Sequence, residues 1–234
     1  MADTSITPEW LERANRLAMT AALLSTTIHE VNNALQIITG NAEMLSDKDA
    51  PHLIARRSDA IGVQARRASA LLADLSGFAR DDSAAKTRLD LGQLGERALA
   101  MRRYTIARLQ LEAAFETAGT ARVVVAQSRE LLQVVVNLIV NAERALAGTR
   151  GGVIGVTVTG TPERVELSVV DNGPGVPADI VPTLFEPAVH ASAVSLGIGL
   201  AVSRRLAERN GGTLTYEPRR GGGAVFTVAI PVAK

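Results

Sequence analysis

The strongest constraint on how this chain folds is an apolar repeat in its first third. From Leu17 the apolar positions run Leu17, Ala21, Leu24, Ile28, Val31, Leu35, Ile38, Ala42 and Leu45. The steps alternate between four and three, the spacing of a heptad seam along one long helix. The stretch 46–51 is polar and ends in proline, so a turn is expected there. A second seam runs through Ile54, Ser58, Ile61, Ala65, Ala68, Leu72, Leu75 and Ala79, interrupted only at Ser58 and widened by Leu53, Leu71 and Phe78. Two such helices make an antiparallel hairpin, which alone cannot bury both apolar faces. Either the hairpin packs on the downstream part of the chain, or two copies form a dimeric four-helix bundle; the dimer is the expectation.

The pattern lapses into small and polar residues at 81–86, which places a domain boundary there: 1–85 is the helical hairpin and 86–234 a second domain. The second domain alternates strand and helix patterns. Strands are expected at 87–91, 109–115, 122–126, 153–159, 164–170, 213–216 and 224–230, the last two as a closing hairpin. Helices are expected at 94–104, at 128–147 with Ser128 as the cap, and at 199–209 before Asn210-Gly211-Gly212. This is an α+β arrangement, with helices layered on one face of a mixed sheet.

Composition excludes several function classes. The 234 residues carry a net charge of +1, which gives no electrostatic case for nucleic-acid or membrane-surface binding. With no cysteine, disulfides, thiolate catalysis and cysteine-bound zinc are ruled out. His29, His52 and His190 lie far apart, and Asn33 stands where a zinc-binding HExxH helix would need its second histidine. No apolar run is long enough to span a bilayer and the first ten residues lack the features of a leader, so a cytoplasmic location and no membrane contact are expected. Aromatics are only 3%, so the core must be aliphatic.

Five short constellations carry candidate chemistry. His29 comes directly after the seam residue Ile28 and so points about 100° off the seam, toward solvent. A lone surface histidine is unremarkable, but Glu30 adjoins it and Asn33 lies one turn on. A carboxylate beside an imidazole fixes the tautomer and sharpens the nucleophile. Asn137 and Asn141, preceded by Gln133, sit four apart on an otherwise apolar helix. They are either satisfied core amides or groups facing a polar ligand. Asp171-Asn172-Gly173-Pro174-Gly175 comes after a strand and on its own could be a plain turn. Leu184-Phe185-Glu186-Pro187 and Gly197-Ile198-Gly199 complete the set. Arg56, Arg57, Arg66 and Arg67 lie off the second seam and are read as a solvated face.

Taken in order, these stretches resemble the boxes of sensor histidine kinases, over about residues 17–232. His29-Glu30-Val31-Asn32-Asn33 is similar to the phosphoacceptor box, with Ala34 where relatives have the proline that kinks the helix. The later boxes resemble those of the histidine kinase/gyrase/Hsp90/MutL ATPases, whose Bergerat-type α/β sandwich the second domain should adopt. The resemblance implies ATP and Mg2+ as ligands. Asn141 would hold the magnesium ion, with Asn137 on the phosphate side and Arg144 nearby. Asp171 would accept from the adenine amino group, Gly173 and Gly175 would let backbone approach the base, and Gly197 and Gly199 would meet the phosphates. It further implies a homodimer that autophosphorylates His29, with Glu30 and Asn33 assisting. The phosphoryl group would then pass to the receiver domain of a response regulator, and a phosphatase activity on that partner is also implied. The lid departs from the family: residues 188–194 offer only His190 and Ser192 as polar groups, and Ser195 and Leu196 replace Gly and Thr. That departure leaves open a histidine phosphotransferase or pseudokinase relay with a degenerate ATP domain, and beyond it a non-kinase ATPase.

Overall fold

The computed structural model describes residues 7–46, 50–79, 85–119, 122–187 and 197–233. The lid residues His190, Ser192, Ser195 and Leu196 lie outside these. Two compact units form: Thr20–Arg80, and Met1–Met19 together with Asp81–Lys234. The residues up to Met19 group with the later unit, which the heptad pattern does not encode because it runs on from Leu17 without a break.

In the unit of residues 20–80, the helices are the later part of α1 (Pro8–Glu43) and α2 (Pro51–Ala79). Pro51 opens α2, where its missing N–H costs nothing. The helices run antiparallel: Glu30 on α1 pairs with Arg67 on α2 at 3.0 Å, and the Arg57 guanidinium donates to the Met44 carbonyl. The line buried on α1 is Leu23, Thr27, Glu30 and Ala34, with Ala68 buried on α2. The expected seam is displaced outward by one residue: Leu24, Ile28 and Leu35 remain 44%, 50% and 50% exposed. Small side chains such as Ala34 and Ala68 let two helices approach closely, and the bulkier apolar line is left facing outward. Helix α1 continues unbroken past Ala34, where a proline would remove a hydrogen bond.

In the other unit, β1 (Thr87–Asp90) pairs antiparallel with β3 (Val123–Ala126). Asp90 ends β1 and caps α3 (Leu91–Arg108), its carboxylate accepting from Gly92 N at 2.7 Å and Gln93 N at 3.2 Å. The helix begins three residues earlier than its apolar pattern suggests because of that cap. Gln110 adopts φ +57° and stops it, so β2 (Glu112–Gly119) starts at Glu112 and not at Leu109. Then come α4 (Ser128–Ala145), β4 (Val153–Gly160), β5 (Arg164–Asp171), a 3-10 turn at Val181–Thr183, α5 (Gly199–Arg209), β6 (Thr213–Pro218) and β7 (Ala224–Pro231). Ser128 is not the cap of α4. Gln127 holds that position without a side-chain cap bond, and its N–H donates to Asn210 Oδ1 at 2.8 Å, so the cap is tertiary.

The main sheet has the order β2-β4-β5-β7-β6, with β2 parallel to β4 and every other pair antiparallel. The inward residues alternate as strand geometry requires: Ile154, Val156 and Val158; Val165, Leu167 and Val169; Phe226, Val228 and Ile230. Burying each aliphatic side chain contributes about 1.5–3 kcal/mol. Helix α3 lies so close over this face that a Cβ on Gly95 would stand 3.1 Å from Phe115 and 3.2 Å from Leu167. Arg102 clamps α3 to α4 through two bonds to Glu143, at 2.9 and 2.6 Å. Among the described residues, no helix is long and apolar enough to cross a membrane.

Candidate functional site

Helix α4 is buried almost all round, yet it carries Glu130, Gln133, Asn137 and Asn141 at spacings of three and four, so all four fall on one stripe. Every buried polar group there must find a partner. Glu130 takes Arg209 at 2.5 Å and Asn210 at 2.7 Å. Asn137 Nδ2 donates toward Gly199 O at 3.2 Å, Ser203 Oγ at 3.0 Å and Asn15 Oδ1 at 3.1 Å. Gln133 Nε2 donates to the same Asn15 oxygen at 3.0 Å. Asn141, one turn further along, is half-buried. Arg144 is exposed by area, but partial desolvation still holds its guanidinium below the ordinary arginine value; the neighbouring Glu143 opposes that shift and Arg102 adds to it.

Asp171 closes β5 on the inward face and is only 3% exposed. Burial pushes its carboxyl up from the usual carboxylate range, against the opposing effects of the Gly173 and Ala224 amides and the Arg219 charge. Gly173 N donates to its Oδ1 at 2.9 Å. Asn172 turns the other way and ties β5 to the start of β4: it accepts from Val153 N at 2.7 Å and donates to Gly151 O at 2.9 Å. Gly173 abuts Ala145 of α4, so the turn and the α4 stripe are neighbours. Gly175 (φ +76°) packs against Gly223 (φ +106°), and a Cβ on Gly223 would overlap the Asp171 carbonyl. Only glycine fits there, on steric and torsional grounds together.

Gly197 takes φ +63° ahead of α5, and that helix begins at Gly199 without a side-chain cap. Its N-cap residue, Ile198, has no side-chain acceptor to offer the first amides of the helix, the groups that a helix start presents to an anion. Phe185 is half-buried beneath the Arg204 guanidinium, 5.5 Å from the ring centre. The structure thus brings Asn137, Asn141, Asp171, Gly173, Gly175, Gly197 and Gly199 onto adjoining edges of one unit. In the other unit His29 and Asn33 are exposed on α1, while Glu30 is buried against Arg67.

Sequence reasoning missed Asn15, Ser203, Arg219 and Gly223. The run Gly221-Gly222-Gly223 was a readable sign of close backbone approach; nothing in the pattern around Asn15 distinguished it. The residues present suit a magnesium nucleotide. They supply a desolvated carboxylate for an amino donor, uncapped helix amides for phosphate oxygens, and an amide oxygen for a hard cation that keeps most of its waters. Among the described residues no group of three His, Asp or Glu side chains could hold a metal alone, and a nucleotide-borne ion needs none.

Residues 126–234, which include most of this mixed sheet, match the family of histidine kinase-, DNA gyrase B-, and HSP90-like ATPases. The match covers just under half of the chain, which along its length resembles sensor histidine kinases. It is 32% identical to the C4-dicarboxylate transport sensor protein DctS of Rhodobacter capsulatus, over 96% of this chain and 35% of that protein. It is 28% identical to the sensor histidine kinase ZraS of Escherichia coli (strain K12), over 95% of this chain and 48% of that one. The chain thus spans less than half the length of these relatives. Among solved structures, the catalytic domain of histidine kinase ThkA superposes with a TM-score of 0.58 at 26% identity, covering 64% of this chain and 100% of that one. Histidine kinase ThkA in complex with response regulator protein TrrA matches in fold at a TM-score of 0.55 and 23% identity, over 99% of this chain and 68% of that one.

Proposed function

We propose that this chain is the core of a protein-histidine kinase, which transfers the γ-phosphoryl group of ATP to His29 and then to an aspartate of a response regulator. The observation that carries the reading is an exposed imidazole, in its Glu30/Asn33 setting, on the same polypeptide as an ATPase domain with a buried Asp171. Asp171 would fix the adenine, Asn137 and Arg144 would line the phosphates, and the α5 amides would receive phosphate oxygens. Asn141 would hold magnesium, whose charge offsets that of the phosphates. A ring nitrogen of His29 forms the N–P bond as the bond from the γ-phosphorus to ADP breaks, and the proton on the other ring nitrogen leaves to Glu30. Arg67 engages Glu30 Oε2, while the buried Oε1 makes no hydrogen bond among the described residues. Asn33, one turn from His29, orients the phosphoryl group and can position water to release phosphate from the partner. Positioning and charge neutralisation supply most of the rate in such transfers.

The outward row of Leu24, Ile28 and Leu35 supports a homodimer in which the hairpins form a four-helix bundle. The response regulator is the partner expected from the ThkA–TrrA likeness. A second reading, a relay with a degenerate ATP domain, draws on Asn137 being engaged within the protein already. Labelled ATP tests the choice on wild type and His29→Ala, with nucleotide binding measured separately by calorimetry. Label on wild type alone, with binding equal in both, supports the kinase. No label from ATP but label gained from a phosphorylated receiver would select the relay. Hydrolysis that persists in His29→Ala with no phosphoprotein would mark a plain ATPase.

A further inference from the structure

We propose that the first turns of α1, residues 8–19, are an intramolecular latch that competes with nucleotide for the α4 stripe. The proposal rests on the functional reading in which nucleotide phosphates lie against Asn137. Asn15 is 6% exposed and its single side-chain oxygen takes the amides of both Gln133 and Asn137. A Cβ built on Gly199 would lie 3.6 Å from Asn15 Nδ2, so this asparagine also reaches the opening of α5, where phosphate oxygens would sit. One turn earlier, Glu12 bridges Arg205 at 3.0 Å and Arg209 at 3.1 Å, and Arg209 continues to Glu130. The segment is therefore fastened twice: by a dry amide cluster on the phosphate side and by a charged clasp along α5.

Asn137 Nδ2 has two protons and already meets three acceptors, so a phosphate oxygen can be served only if one acceptor leaves. Gly199 and Ser203 belong to α5 itself, whereas Asn15 comes from a separate helix and is the removable one. The Arg205 and Arg209 side chains are about half exposed, so the clasp is a weak, salt-sensitive element that can open. Nucleotide affinity is then reduced by the fraction of molecules in which the latch is shut.

The test is Mg-ADP binding to the full chain by calorimetry for wild type, Asn15→Ala and Glu12→Ala. Asn15→Ala takes the acceptor from the buried Gln133 amide and the third acceptor from Asn137, in the latched form only, so its dissociation constant should fall about tenfold. Glu12→Ala should fall by a few-fold, since exposed pairs are weaker. In wild type, Mg-ADP should speed amide exchange across residues 8–19. Unchanged or weaker binding in Asn15→Ala overturns the latch, as does exchange across 8–19 that nucleotide leaves unaltered. If no variant binds Mg-ADP, the nucleotide reading and the latch fall together. If all bind equally, only the latch fails.

Discussion

Asp171 holds its place at a cost. Its carboxyl pKa is raised by burial, so the folded state binds a proton more readily than the unfolded chain does. The stability it contributes is complete below the unfolded carboxylate range and is lost as pH rises through the raised value. Asp171→Asn should therefore melt above wild type at pH 7 without nucleotide, with the gap closing as pH falls toward 4 in thermal scans. The same variant should bind Mg-ADP at least tenfold more weakly, because an amide presents a donor where the adenine amino group needs an acceptor. An unstable variant that still binds tightly would refute this role. Glu30 is the second costly carboxylate. Removing its partner in Arg67→Ala leaves it buried and uncompensated. Since Arg67 is 53% exposed, urea unfolding should report a loss of about 1–2 kcal/mol and not the roughly 3–5 of a fully dry pair.

At the scale of elements, α3 and α4 are joined by a pair dry on both sides, with Arg102 6% and Glu143 5% exposed. Arg102→Ala should cost about 3–5 kcal/mol in urea unfolding, whereas replacing both partners by leucine and methionine should cost far less. Helix α4 shows how much of a site the pattern reveals. Its polar stripe at Gln133, Asn137 and Asn141 stood out because amides on an apolar helix need partners. Which partners they have was not readable: Asn15 lies 122 residues away from Asn137 in sequence, and its own surroundings carry no mark. The cap of α4 misled for a similar reason. The expected start of α4 at residue 128 held, but Gln127 and not Ser128 is its cap, and the Gln127 N–H is met by a side chain from beyond α5 that no local signal announces.

At the scale of the whole molecule, the unpartnered apolar row on the hairpin argues for association. Each such side chain gains about 1.5–3 kcal/mol when buried, enough in sum to outweigh the cost of pairing two chains. Sedimentation should show a dimer for wild type. A Leu24→Glu/Leu35→Glu double variant should be monomeric, with Mg-ADP binding by residues 86–234 intact. A wild type that stays monomeric at high micromolar concentration would rule out the four-helix bundle.

The sequence alone determined the helix and strand periods, the order of the boxes, the exposure of His29 and the aliphatic core, because these arise from local spacing and side-chain chemistry. Only the tertiary structure decided which helical line closes the hairpin, that Glu30 is buried against Arg67, that Gly223 abuts Asp171, and that Asn15 joins the α4 stripe. Those outcomes depend on which surfaces meet, and a periodic pattern specifies a face without naming what covers it.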